Sequence, residues 1–239
     1  MNLDVIVFAA HPDDAELSMG GTIAELTKNN LKVGIIDFTK GELGTRGTPE
    51  IRQKEAAKAS TILKIKIREN LLFADGNIPI NKENLIKVVI ILRKYKPKII
   101  FAPFFKDRHP DHIDASMLTK RAMFQSGLKE IKTFDKDVSQ DAYRPRHLYY
   151  YMQTYTFDPS FIIDISDSFD TKMKAVRAFS SQFHNPKNKE PETFISKPNF
   201  ISYVESRASF YGFQIGKSYG EAFYCEEKIE LDLISFLKK

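Results

Sequence analysis

With 239 residues, 42% of them hydrophobic, and a net charge of +5 from 36 Lys and Arg against 31 Asp and Glu, the chain has the length and apolar content to bury a core. Its mild basic excess contains no long Lys/Arg run of the kind that marks a nucleic-acid partner, and no apolar stretch approaches the ~18 residues of a membrane span. Cys225 is the only cysteine, which excludes an intrachain disulfide and points to a reducing compartment; with no membrane span read, a soluble, cytoplasmic protein is expected.

Residues 3–10 are short, apolar and β-branched without polar alternation, which predicts a buried strand. A helix is expected from Glu16 to Lys28, where the Gly20-Gly21 pair either weakens the first turns or allows close packing. Leu31 to Phe38 reads as a second strand and Thr39 to Gly47 as a glycine-rich loop. Thr48-Pro49-Glu50 then carries an N-cap, a first-turn proline and a first-turn acid, opening a helix that runs to about Leu63. A short strand is expected at Glu69 to Phe73. Asn81 caps the next helix, which must stop before Pro97, and Lys98 to Pro103 is the following strand. A helix from about Ile113 to Gln125 ends before Gly127. Further strands are read at His147 to Met152 and Phe161 to Ile165, and helices near 168–182 and 200–211, with a polar, proline-bounded loop from Asn185 through Asn188 to Pro191. Strand and helix alternating in this way predict parallel βαβ units. The expected fold is α/β, a three-layer sandwich with a mostly parallel Rossmann-like sheet, in a single domain spanning 1–239.

Two polar clusters interrupt this pattern, each directly after an apolar run. His11-Pro12-Asp13-Asp14 follows the first strand, and Arg108-His109-Pro110-Asp111-His112 follows Ile99 to Pro103. Ligands of open parallel sheets bind beyond the carboxyl ends of the strands, so topology brings these clusters and the Lys40–Arg46 loop to one edge. No G-x-G-x-x-G follows the first strand, which argues against a dinucleotide site. Two His and one carboxylate with a position left for water is the composition of a hydrolytic zinc site. The clusters hold more than one metal needs: His11, Asp13, Asp14, His109, Asp111 and His112 leave groups over to act as general base and general acid.

The stretches AAHPDDAELSMGGTIA and RHPDH together resemble the LmbE-like (PIG-L) family of metal-dependent N-deacetylases. The likeness extends through DFTKGELGTRGTPEIRQKEAA, ENLLFADG, LYYYMQ and GKSYGEAF, which look like the bacillithiol-pathway branch, the N-acetylglucosaminyl-malate deacetylases. The resemblance implies an LmbE-like fold, a metal held by His11, Asp14 and His112, and Asp13 as the base that activates water. His109 would stabilise the oxyanion or protonate the leaving amine, with Asp111 fixing its tautomer and orientation. The metal implied is zinc, although ferrous iron accepts similar ligands. The reaction implied is removal of acetate from the N-acetylglucosamine unit of N-acetylglucosaminyl malate. Mycothiol-pathway relatives carry a Tyr where this chain has Asp107, so an oxyanion role for that Tyr does not transfer.

Malate carries two carboxylates, which Arg binds in bidentate fashion. Arg52 is placed at the rim by the family motif and is the first choice, followed by Arg46 and Arg108, with Lys40 behind them. Tyr149 to Tyr151 read as a strand with one face in the core, and His147 and His184 as structural or surface residues. The alternatives are deacetylation of another N-acetylglucosamine or thiol conjugate, and a non-catalytic anion-binding module. Family members are typically homo-oligomers, so a trimer or hexamer is expected, with a small-molecule sugar conjugate as the other partner.

Overall fold

The computed structural model describes residues 1–187 and 189–230; Asn188 of the proline-bounded loop lies outside them. In chain order the elements are β1 (Val5–Ala9), α1 (Asp14–Lys28), β2 (Val33–Asp37), α2 (Pro49–Ile62), β3 (Ile67–Asn70), α3 (Lys82–Tyr95), β4 (Ile99–Pro103), α4 (Pro110–Ser126), β5 (Phe134–Asp135), β6 (Val138–Ser139), β7 (His147–Tyr151), β8 (Phe161–Asp164), α5 (Phe169–Arg177), α6 (Phe200–Gln214) and β9 (Gly220–Tyr224). A seven-stranded sheet runs β3-β2-β1-β4-β7-β9-β8. Its first five strands are parallel, β9 pairs antiparallel with both β7 and β8, and β5 with β6 forms a separate two-stranded hairpin. The fold is the expected α/β architecture with a mostly parallel sheet.

Alternation along β1 creates the layers. Val5, Val7 and Ala9 face a core shared with α1, α2, α5 and α6, whereas Ile6, Phe8 and Ala10 face a core shared with α3 and α4. All of β1 is buried, as its continuous apolar run requires in a sheet covered on both faces. The chain leaves β1 toward β2 and β3 on one side and returns to β4 on the other. The strand order therefore reverses between the carboxyl ends of β1 and β4, where such sheets leave a crevice.

Several element ends differ from the sequence reading. Helix α1 begins at Asp14 and α4 at Pro110, so each polar cluster straddles a turn and the start of a helix, with Asp13 and His109 at the N-cap positions. The Gly20-Gly21 pair serves close packing, because a Cβ on Gly21 would lie 2.7 Å from the Ile165 side chain. Strand β3 is displaced toward the N-terminus because its register with β2 pairs Gly34 with Ile67 and Asp37 with Asn70. Helix α5 stops at Arg177, and just beyond it Glu55 of α2 accepts from the Ser181 N–H at 2.7 Å and the Ser181 hydroxyl at 2.8 Å. Strand β9 has no counterpart in the sequence reading: five residues without clear alternation become a strand only because β7 and β8 flank them.

Candidate active site

The turn after β1 is closed by its own acids. The His11 N–H donates to Asp14 Oδ2 at 2.9 Å, and the Leu17 N–H reaches the Asp13 carbonyl at 2.9 Å to start α1. This tight entry holds Asp13 at a φ of 114°, a conformation side chains rarely adopt. Arg52 on α2 secures the strained turn: its Nη2 donates to the Pro12 carbonyl at 2.7 Å and to Asp13 Oδ2 at 3.3 Å, and its Nη1 to the Gly41 carbonyl at 3.2 Å. From the other side of the crevice, His109 is the N-cap of α4 and its Nδ1 accepts the Asp111 N–H at 3.2 Å. His112, one turn in, directs Nε2 at Asp14 Oδ1, 3.4 Å away. The three imidazoles converge, with ring centres of His11, His109 and His112 between 4.8 and 5.6 Å apart.

The donor set of His11, Asp14 and His112 suits a metal. Ligand atoms of these three buried residues lie within 4.8 Å of one another. The two Asp14 oxygens face His11 Nδ1 at 3.6 Å and His112 Nε2 at 3.4 Å. The far nitrogen of each ring is held by carboxylates: His11 Nε2 by Asp75 at 3.0 Å and Asp111 at 3.2 Å, and His112 Nδ1 by Asp107 at 2.9 Å. Metal-binding histidines are normally oriented in this way. A second grouping of His11, His109 and Asp111 is also compact, but His11 Nε2 and His109 Nδ1 already have partners there. Buried carboxylates of Asp13, Asp14 and Asp111 crowd one small space, a charge that a divalent cation would offset.

The electrostatics separates the two acids of the first motif. Burial pushes the Asp13 carboxyl up to about 7, with Arg52 opposing and Asp14 reinforcing the rise. Burial would raise Asp14 too, but the His112 charge and the hydrogen bonds from His11 and His112 hold it well below the usual carboxylate range. For His11 burial works against the proton, yet hydrogen bonds to Asp111, Asp14 and Asp75 carry it well above 6.5. His112 is carried to about 9: burial again opposes, and Asp14 with Asp107 prevails. His109 goes the other way, lowered by burial and by the charges of His11 and His112.

A cavity of about 380 Å³ opens over this centre, bounded by His11, Asp13, Asp14, His109 and His112 at one end. Arg52 lines it, with its Nη atoms on the Pro12 and Gly41 carbonyls and Asp13 and its Nε buried without a partner. Arg46 does not line it. Buried, it donates through Nε to the Pro191 carbonyl at 3.0 Å, Nη1 to the Phe183 carbonyl at 3.1 Å and Nη2 to the Glu190 carbonyl at 3.3 Å, so its guanidinium is spent on these backbone carbonyls. Arg108 reaches the mouth, stacked with Cζ 4.6 Å from the Phe194 ring centre. Lys40 is exposed and off the cavity wall. Tyr150 and Tyr151 are core residues, the latter donating to the Phe8 carbonyl at 2.8 Å.

Asp111 sits elsewhere than the orienting role required. Its backbone N–H, a free first-turn donor, sets the His109 tautomer, while its carboxylate crosses to His11 and to the Gly76 N–H at 2.8 Å. Sequence reasoning missed Asp75, Asp107, Gln153 and Arg207. Asp75 follows β3 at the same sheet edge as His11, a placement that the strand rhythm signals. Asp107, read from the sequence only as a departure from relatives, accepts from His112 and from the N–H groups of His109, Thr154 and Tyr155. Burial opposes these bonds, but they hold its carboxyl at about 2.

A model of the PIG-L family, described as GlcNAc-PI de-N-acetylase, matches residues 6–123. The diacetylchitobiose deacetylase of Thermococcus kodakarensis is 30% identical over 227 residues, covering 91% of this chain and 80% of that protein. A probable N-acetyl-alpha-D-glucosaminyl L-malate deacetylase 2 of Bacillus cereus is 29% identical over 196 residues, covering 76% of this chain and 84% of that protein. Among solved structures, the conserved protein TT1542 of Thermus thermophilus superposes with a TM-score of 0.86 at 36% identity, covering 96% of this chain and 97% of that one.

Proposed function

The chain belongs to the PIG-L family of hydrolytic de-N-acetylases, and on that premise we propose that it removes the acetyl group from the N-acetylglucosamine unit of N-acetylglucosaminyl malate, the step of bacillithiol synthesis that frees the amine. The observation that carries the deacetylase chemistry is the buried His11–Asp14–His112 donor set with a separate acid, Asp13, in the same turn. A divalent ion held there, zinc by the chemistry of the donors with ferrous iron as the rival, would polarise an amide carbonyl and acidify water. Asp13 is the group to accept the water proton, its carboxylate aimed by Arg52. His109, with Nδ1 occupied by the Asp111 N–H, presents an Nε2 proton to the leaving nitrogen or the oxyanion. Asp75, Asp107 and Asp111 hold the ligand rings in place.

The malate conjugate is favoured by the arginines at the cavity, Arg108 and Arg207, and by the likeness to the Bacillus cereus relative. N,N'-diacetylchitobiose is the second reading, favoured by the Thermococcus relative, whose likeness covers 91% of this chain against 76% for the Bacillus cereus one. Acetate release from both compounds and from free N-acetylglucosamine, with metal-loaded and chelated protein, tests the assignment. The expected result is metal-dependent turnover of the malate conjugate, reduced about 10²–10⁴-fold in Asp13→Asn while metal stays bound. Preferential turnover of the disaccharide would replace the substrate and keep the chemistry. Absence of acetate from every N-acetyl sugar, with metal bound, would end the proposal.

A further inference from the structure

We propose that Arg207, held by the Gln153 backbone carbonyl, with Arg108 at the mouth, forms a subsite for a carboxylate carried by the group attached to the N-acetyl sugar. This rests on the deacetylase reading, which puts the acetamide at the His11–Asp14–His112 end of the cavity. Phe200, Tyr203 and Arg207 lie along one face of α6 and line the cavity wall.

Arg207 is held but not neutralised. Its Nη1 donates to the Gln153 carbonyl at 2.6 Å and its Nη2 to the Leu17 carbonyl at 3.2 Å, and among the described residues no carboxylate pairs with it. Its Cζ also lies 5.6 Å from the Tyr203 ring centre, and the N–H groups not given to the two carbonyls have no other hydrogen-bond acceptor among the described residues. Beside it, Gln153 is nine-tenths buried; its Oε1 accepts from the Ser18 hydroxyl at 2.6 Å, while its Nε2 is buried without a partner.

The surrounding charge has the same sign. Arg108 is exposed and stacked on Phe194, without an ion-pair partner among the described residues. The acids on the cavity wall, Asp13, Asp14 and Asp75, are all engaged at the metal end. Behind Arg207, burial holds the Lys172 ammonium below the usual amine range, and the Arg207 charge adds to the effect against Glu221. This end of the cavity therefore carries positive charge from Arg108 and Arg207 with no carboxylate paired to either among the described residues. Neutral sugar hydroxyls both give and accept hydrogen bonds, whereas a carboxylate only accepts, so the wall suits a carboxylate.

The test is titration calorimetry of metal-loaded protein carrying Asp13→Asn to suppress turnover, with N-acetylglucosaminyl malate and with methyl N-acetylglucosaminide, comparing the wild-type subsite with Arg207→Gln, Arg207→Lys and Arg108→Gln, each checked for fold by circular dichroism. The wild-type subsite should prefer the anionic conjugate, and Arg207→Gln should cut the ratio of the two Kd values at least tenfold. Arg207→Lys should restore part of it, and Arg108→Gln should lower it by a smaller factor. Equal weakening of both compounds, or no wild-type preference, overturns the subsite. Binding is read apart from acetate release. A preference lost in Arg207→Gln, in a protein whose wild type releases no acetate, would thus sustain the subsite while removing the deacetylase reading. Should Arg207→Gln fail to fold, the Arg207→Lys and Arg108→Gln ratios decide: unchanged values in both overturn the proposal.

Discussion

Arg52 and Asp13 show how much of a residue's role lies in what its side chain has left to offer. Likeness to the family motif and a basic side chain suggest a contact with malate. In the fold, the guanidinium is occupied by Pro12, Gly41 and Asp13, and a Cβ on Gly41 would lie 1.8 Å from Arg52 Nη1, so only glycine fits against it. Arg52→Met should therefore lower kcat about 10²-fold through misplacement of the base, with KM changed little. It should also cost about 3 kcal/mol of stability, because the buried Asp13 carboxylate loses its partner. Steady-state kinetics separates the roles, since a substrate-binding arginine would raise KM instead. Arg46 teaches the same lesson: three backbone carbonyls of a remote loop occupy it, and no local pattern announces them.

At the scale of elements, α1 is two helical pieces joined at Met19, where φ reaches −140°. The second piece begins against Glu221 of β9, whose carboxylate accepts from the Gly21 N–H at 3.0 Å and the Thr22 N–H at 2.7 Å while pairing with buried Lys172 at 2.5 Å. The second piece of α1 is thereby tied to the antiparallel part of the sheet. Gly21→Ala should cost about 1–3 kcal/mol by driving a methyl into Ile165. Glu221→Gln should cost about 3–5 kcal/mol by leaving Lys172 buried and unpaired. Denaturant midpoints measure both, and Lys172→Met combined with Glu221→Gln should recover part of the second loss. Helix starts with their own chemistry are readable: Thr48 and Asn81 cap α2 and α3 as expected, accepting from Ile51 and Asn84. Strand β9 and the end of α5 are not, because each is defined by partners distant in sequence.

For the whole molecule, the reversal of strand order between β1 and β4 decides where chemistry occurs, and metal binding ought to couple to global stability. An ion present at about 1,000 times its Kd adds about 4 kcal/mol, equivalent to a Tm shift of about 8–16 °C for a chain of this length. Chelation should remove that increment in the wild type. In His112→Ala, which lacks a ligand, the melting temperature should be nearly indifferent to chelator. A comparable chelator-induced drop in both proteins would mean that the ion binds elsewhere.

The sequence alone determined the alternation of strand and helix and the two polar clusters that close β1 and β4. Both are local signals, written in side-chain periodicity and in chemical types that seldom stand together without use. It also implied the division of the six polar residues into ligands, base and acid, through their likeness to a known pattern. Only the tertiary structure decided which arginine is free and which is consumed. It alone brought Asp75 and Asp107 behind the ligand rings, and placed Arg207 beside the unpartnered amide of Gln153. The physical reason is that a hydrogen bond satisfied across many residues of chain leaves no trace in local pattern, yet it fixes whether a charged group faces a ligand or the protein itself.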